Sequence, residues 1–246
     1  MLKFYMLGLA TAAAVSFGSV AGAATIDAAS QNASNPFANA AGTGKLSFNA
    51  THKINGVKTT EEIGAFRMTG SYSSGGRVDF LAVSTQMGTA FDSTQTSYEM
   101  ADPFSDRVTA QLNALASNAW SLVTTKSKAV GFQAAVWEII NETNATKGLN
   151  VKNGDFVLVQ TTRGDVSDKA REWANEWLGY IADGTWTNTN AFQQLTTSDS
   201  ANLLTDISGQ ADAATNTLGA VPLPASSLLL ITGLFGAGYV ARRRKS

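Results

Sequence analysis

Gln133 and Trp137 stand four residues apart in the run GFQAAVWEIINET (131–143), where Phe132, Val136, Ile139 and Ile140 describe an apolar setting. An uncharged amide placed there must either be hydrogen-bonded or line a cavity, because burying it without partners costs about 1–3 kcal/mol. Carboxylates come in three close pairs: Glu61 with Glu62, Glu99 with Asp102, and Glu138 with Glu142, the last at helical i,i+4 spacing. Pairs of this kind are what a glycoside hydrolase needs, provided the two groups face each other across a cleft. On one helix or strand they serve more simply as solvated charge. The chain has no cysteine and a single histidine, His52. Disulfides, thiolate metal sites, thiol nucleophiles and thioesters are thereby excluded, and a Ser-His-Asp triad would have to use His52. Its neighbours Thr51, Lys53 and Asn55 favour an exposed strand or turn position over a buried catalytic one. No calcium-loop spacing is present, so neither a metal nor another cofactor is expected.

The elements that must hold these residues change period along the chain. Residues 45–54, 60–70, 77–85 and 96–102 alternate loosely and are separated by Asn55-Gly56 and Ser74-Gly75-Gly76, which predicts antiparallel strands. From Ser105 the period turns helical, with Val108, Leu112, Leu115 and Ala119 on one side. A second helix begins near Lys128 and is apolar round nearly its whole circumference. Residues 154–161 read as a buried strand. A third helix stripes Ala170, Trp173, Ala174, Trp177, Leu178 and Ile181 opposite Lys169, Arg171, Glu172 and Glu176. Beyond Gly184 the signal weakens into a short helix or strand and then a polar stalk.

Both ends carry targeting features. Residues 1–23 have one cation, Lys3, an alanine-rich apolar core and Ala21-x-Ala23, the layout of a cleaved secretory signal. At the other end Val221-Pro222-Leu223-Pro224-Ala225 precedes a short apolar stretch and the basic cluster Arg242 to Lys245, which should remain cytoplasmic while the body is exported. Taking both ends away removes five of the 18 basic residues and none of the 19 acidic ones, leaving a body of about minus six with no basic patch for nucleic acid. This tail resembles the PEP-CTERM sorting segment in its VPLPA variant. The resemblance implies recognition by an exosortase-type membrane protease and delivery to the cell surface or matrix, with a transmembrane helix as anchor before processing.

The run Phe132-Gln133-Ala134-Ala135-Val136-Trp137 is similar to the glutamine segment of bacterial surface thioester domains and related exported PEP-CTERM proteins. In that family the glutamine is joined to an upstream strand cysteine followed by an acidic residue. Aligning Asp102 with the acidic position puts Met100 at the cysteine position, and a thioether cannot form an acyl bond. The expected fold is therefore α+β: an antiparallel β-sandwich-like sheet with inserted helices, thioester-domain-like. Its organisation is a signal peptide (1–23), a flexible arm (24–44), a β-rich domain with a helical insertion (45–205), a polar stalk (206–220) and the sorting segment (221–246). The expected function is that of a non-enzymatic exported surface or matrix protein associated with exopolysaccharide or biofilm. The alternatives are a secreted carboxylate-dependent glycoside hydrolase, or a surface domain with a non-covalent ligand site at Met100, Gln133 and Trp137. Against that last reading stands a plain core contact in which Gln133 bonds backbone groups at a strand edge.

Overall fold

The computed structural model describes residues 25–205, apart from 33, 35–36, 41–43, 73–74, 90, 92, 102–103, 144–147, 188–191, 199 and 201. The signal peptide, the stalk, the sorting residues Val221 to Ala225 and Asp102 lie outside the described residues. In chain order the elements are β1 (Thr25–Ser30), β2 (Asn39–Ala40), β3 (Gly44–Lys45), β4 (Ser47–Ile54), β5 (Val57–Gly64), β6 (Phe66–Tyr72), β7 (Arg77–Ser84) and β8 (Thr96–Ala101). They continue with α1 (Asp106–Ala119), α2 (Lys126–Asn141), β9 (Phe156–Leu158), α3 (Val166–Ala182), β10 (Gln193–Thr196) and β11 (Leu203–Thr205). The chain is α+β, as its change of period predicts.

The sheet, however, closes on itself instead of forming a sandwich. Strands β1, β6, β7, β11, β10 and β8 make an antiparallel barrel in that order, β8 returning to β1. Its interior is filled by Ile26, Ala28, Phe66, Met68, Val78, Phe80, Ala82, Tyr98, Leu195 and Leu203. A small barrel is filled by its own side chains and leaves no unpaired edge. Closure depends on β1, part of the segment read as a flexible arm. Ile26 and Ala28 are buried there, and the strand pairs with β6 on one side and β8 on the other. Only two inward residues, Ile26 and Ala28, carry too little hydrophobic pattern to declare a strand; its hydrogen-bonded neighbours define it.

A second sheet, β5-β4-β9, stands apart from the barrel. Asn55 and Gly56 both take positive φ at the β4–β5 hairpin, the turn that this dipeptide predicts. Residues 60–70 read as one strand but are shared between the two sheets: β5 ends at Gly64 and β6 begins at Phe66. The break sits where a Cβ at Gly64 would collide with the Leu46 carbonyl oxygen, so only glycine lets the chains approach. Helix α2 packs on α3 and α1 and against β4, β5 and β9, and is buried from Ala129 to Ile139. The α3 stripe is a packing face as expected, with Ala170, Ala174, Trp177 and Leu178 buried. Among the described residues no helix is long and apolar enough to cross a membrane.

Candidate functional site

Strands β6 and β7 pair from Ser71 opposite Arg77 up to Phe66 opposite Ala82. Two residues further on, Ser84 would meet Gly64, but Gly64 has already turned away to pair with Ser47 of β4. The main chain of Ser84 is left without a strand partner on that side, and Gln133 supplies one. Its Oε1 accepts from the Ser84 N–H at 3.0 Å, and its Nε2 donates to the Ser84 carbonyl. Trp137, one helical turn along the same side of α2, donates Nε1 to that carbonyl at 3.0 Å. A primary amide has one acceptor and one donor edge, which matches the two main-chain groups of an extended residue. Gln133 is 1% exposed, so the amide meets its hydrogen-bonding requirement with backbone, the core contact considered beside the ligand site.

The strand is not the one that the resemblance selects. Met100 lies on β8, opposite Leu195 of β10, and packs half-buried against the barrel interior. Since β11 and β10 separate β7 from β8 in the barrel, the structure brings Gln133 and Trp137 together and leaves Met100 elsewhere. Every strand here alternates in much the same way, so the sequence contains nothing that decides which strand the helix meets.

His52 also differs from expectation: it is buried, not exposed. Strand β4 is the middle of its sheet, with His52 opposite Thr59 on one side and Leu158 on the other. Ala50 and His52 share the face turned to α2, while Thr51 and Lys53 point the opposite way. The imidazole lies 5.2 Å from the Trp137 ring and 5.9 Å from Phe156, centroid to centroid. Its Nε2 is 2.6 Å from Glu61 Oε1, and Nδ1 has no partner among the described residues.

The three carboxylate pairs meet different fates. Glu138 and Glu142 are buried and bond the backbone of the loop that leads to β9. Glu138 Oε1 accepts from Asn150 N–H at 2.6 Å and Glu142 Oε2 from Asp155 N–H at 3.1 Å. Burial, reinforced by the charges of Glu142 and Asp155, pushes the Glu138 carboxyl up to about 7 against the pull of the Asn150 N–H. Glu61 and Glu62 border a cavity of about 250 Å³ at the gap between β5 and β7, together with Phe66, Phe91, Gln133 and Trp137. Glu62 holds Lys45 at 2.5 Å and accepts from the Ser47 hydroxyl at 2.6 Å. Burial acts to raise the Glu62 carboxyl, but Lys45 and Ser47 outweigh it and hold it below its ordinary value. Glu99 is exposed on β8. Among the described residues no three acidic or histidine side chains converge to hold a metal ion. The cavity and its phenylalanines could not be read from the sequence, because Phe37, Phe66 and Phe91 come from three separate segments.

No family model, no curated protein and no solved structure matches the chain.

Proposed function

We propose that this chain is a non-enzymatic exported protein of the cell surface or extracellular matrix, associated with exopolysaccharide or biofilm. In this reading an exosortase-type membrane protease recognises Val221-Pro222-Leu223-Pro224-Ala225 and removes the tail, and the body is a thioester-domain-like scaffold that has lost the reactive bond. The observation that supports it most is the use made of Gln133. In a chain without cysteine, both edges of that amide are tied to the Ser84 main chain, so Gln133 serves as a structural bridge with no acyl chemistry in it. The carboxylate pair at hydrolase-like spacing on α2 is likewise spent on loop backbone.

The test is fractionation of the producing cells with mass spectrometry of the product. A chain trimmed after the signal and lacking Arg242 to Lys245, recovered from the surface or medium, is the expected result. A folded chain retained in the cytoplasm with both ends intact contradicts the proposal.

A further inference from the structure

The cavity beside the Gln133 clamp has a wall that the clamp does not use. Phe37, Phe66 and Phe91 stack in series, with centroids 4.9 Å and 4.4 Å apart and planes within 22° and 20°. At one end of the stack the Lys45 ammonium sits 4.8 Å over the Phe37 ring while it binds Glu62 at 2.5 Å. At the other end Phe91, half-buried, lines the cavity with Glu61, Gln86 and Thr89. The protein thus already holds one of its own ammonium groups between a carboxylate and a phenyl face, and it repeats those two partners around an empty space. Glu61 takes His52 and the Gly88 N–H on the same oxygen, Oε1, so neither contact uses its Oε2.

Charge and size narrow the occupant. Glu62 is already matched by Lys45 and feels the charge of Lys126 as well, so the carboxylate left for an occupant is that of Glu61, which suits one cation. A space of about 250 Å³ falls just below the range of about 300–1,000 Å³ for drug-sized ligands, so it fits one ring-sized unit and is roomier than an alkylammonium needs. An aromatic wall favours the apolar face of a pyranose, and the Gln86 and Thr89 side chains are the hydroxyl partners such a ring needs. We infer that this cavity binds one residue of a cationic, unacetylated amino sugar, its ammonium on Glu61 and its ring against Phe91. The biological source of that sugar, a matrix polysaccharide, rests on the surface reading above; the recognition chemistry does not.

Calorimetric titration of the full-length protein with a glucosamine trimer, its N-acetylated counterpart, cellotriose and n-butylamine tests the inference. The glucosamine trimer should bind, and the other three at least about tenfold more weakly, because each lacks either the charge or the ring. Glu61→Gln and Phe91→Ala should each weaken the trimer by about tenfold or more at unchanged near-ultraviolet circular dichroism. Should Glu61→Gln disturb the fold through His52, Phe91→Ala at the half-buried end of the stack decides. No binding of the glucosamine trimer, equal binding of any of the other three compounds, or wild-type affinity in the folded variants would overturn the site. A chain that is exported and trimmed yet binds no amino sugar sinks this inference alone. One that binds the sugar but stays in the cytoplasm sinks the surface reading alone.

Discussion

Inside the barrel Ile26, Met68, Phe80, Leu195 and Leu203 meet one another with no carboxylate or imidazole among them, whereas around α2 the side chains of Gln133, His52, Glu138 and Glu142 are buried as deeply. The barrel needs only volume and closure, and its backbone is paired strand to strand. The α2 layer stands where strands leave the sheet and loops cross, so main-chain groups there lack ladder partners. Polar side chains take their place: Gln133 for Ser84, Glu138 for Asn150, Glu142 for Asp155. The contrast teaches that the buried amide of Gln133 and the buried carboxylates of Glu138 and Glu142 sit where the main chain leaves the sheet. A cavity with recognisable chemistry opens at one of those places, between β5 and β7.

Substitutions that separate the two regions make the contrast testable. The largest effect is expected for Trp137→Ala, which empties a site 2% exposed beside His52 and Phe156 and removes one donor to the Ser84 carbonyl. It should cost about 3–5 kcal/mol in urea unfolding. Met68→Ala, in the barrel, should cost about 2–5 kcal/mol, and the same amount between about pH 5 and pH 8, since among the described residues no carboxylate or imidazole lies in that cluster. Gln133→Leu keeps the bulk but orphans the Ser84 N–H, for about 1–3 kcal/mol.

The effect of Glu138→Gln depends on pH, vanishing at acid pH and growing toward neutrality. The folded state raises this carboxyl from 4.5 to about 7, so it favours the protonated form. The stability this contributes is complete below the ordinary value, and it is lost as pH rises through about 7. Wild-type melting temperature should therefore fall between about pH 5 and pH 8 more steeply than that of the variant, which should match it at the lower pH and exceed it at the higher. Parallel curves would show that the α2 layer is as insensitive to pH as the barrel.

What could be read in the sequence was local. The apolar run around Gln133 announces a buried helix and a bonded amide, Asn55-Gly56 announces a hairpin, and the spacing from Ala170 to Ile181 announces the α3 face. What could not be read was which strand meets which partner. The burial of His52 comes from β5 and β9 flanking β4, and β9 is about a hundred residues away in sequence. Barrel closure rests on β1, nearly featureless, and on β10 and β11, of four and three residues. The choice of Ser84 over Met100 follows from the crossover at Gly64, which a steric contact with Leu46 fixes and no periodicity records.

Nuclear magnetic resonance of the Gln133 side-chain amide tests the central claim most directly. Tied at both edges to Ser84, its NH₂ pair should be present, slow to exchange with solvent, and correlated through the hydrogen bond with the Ser84 carbonyl. Absence of the pair, as loss of the side-chain nitrogen to an acyl adduct would give, or exchange as fast as that of an exposed amide would contradict it.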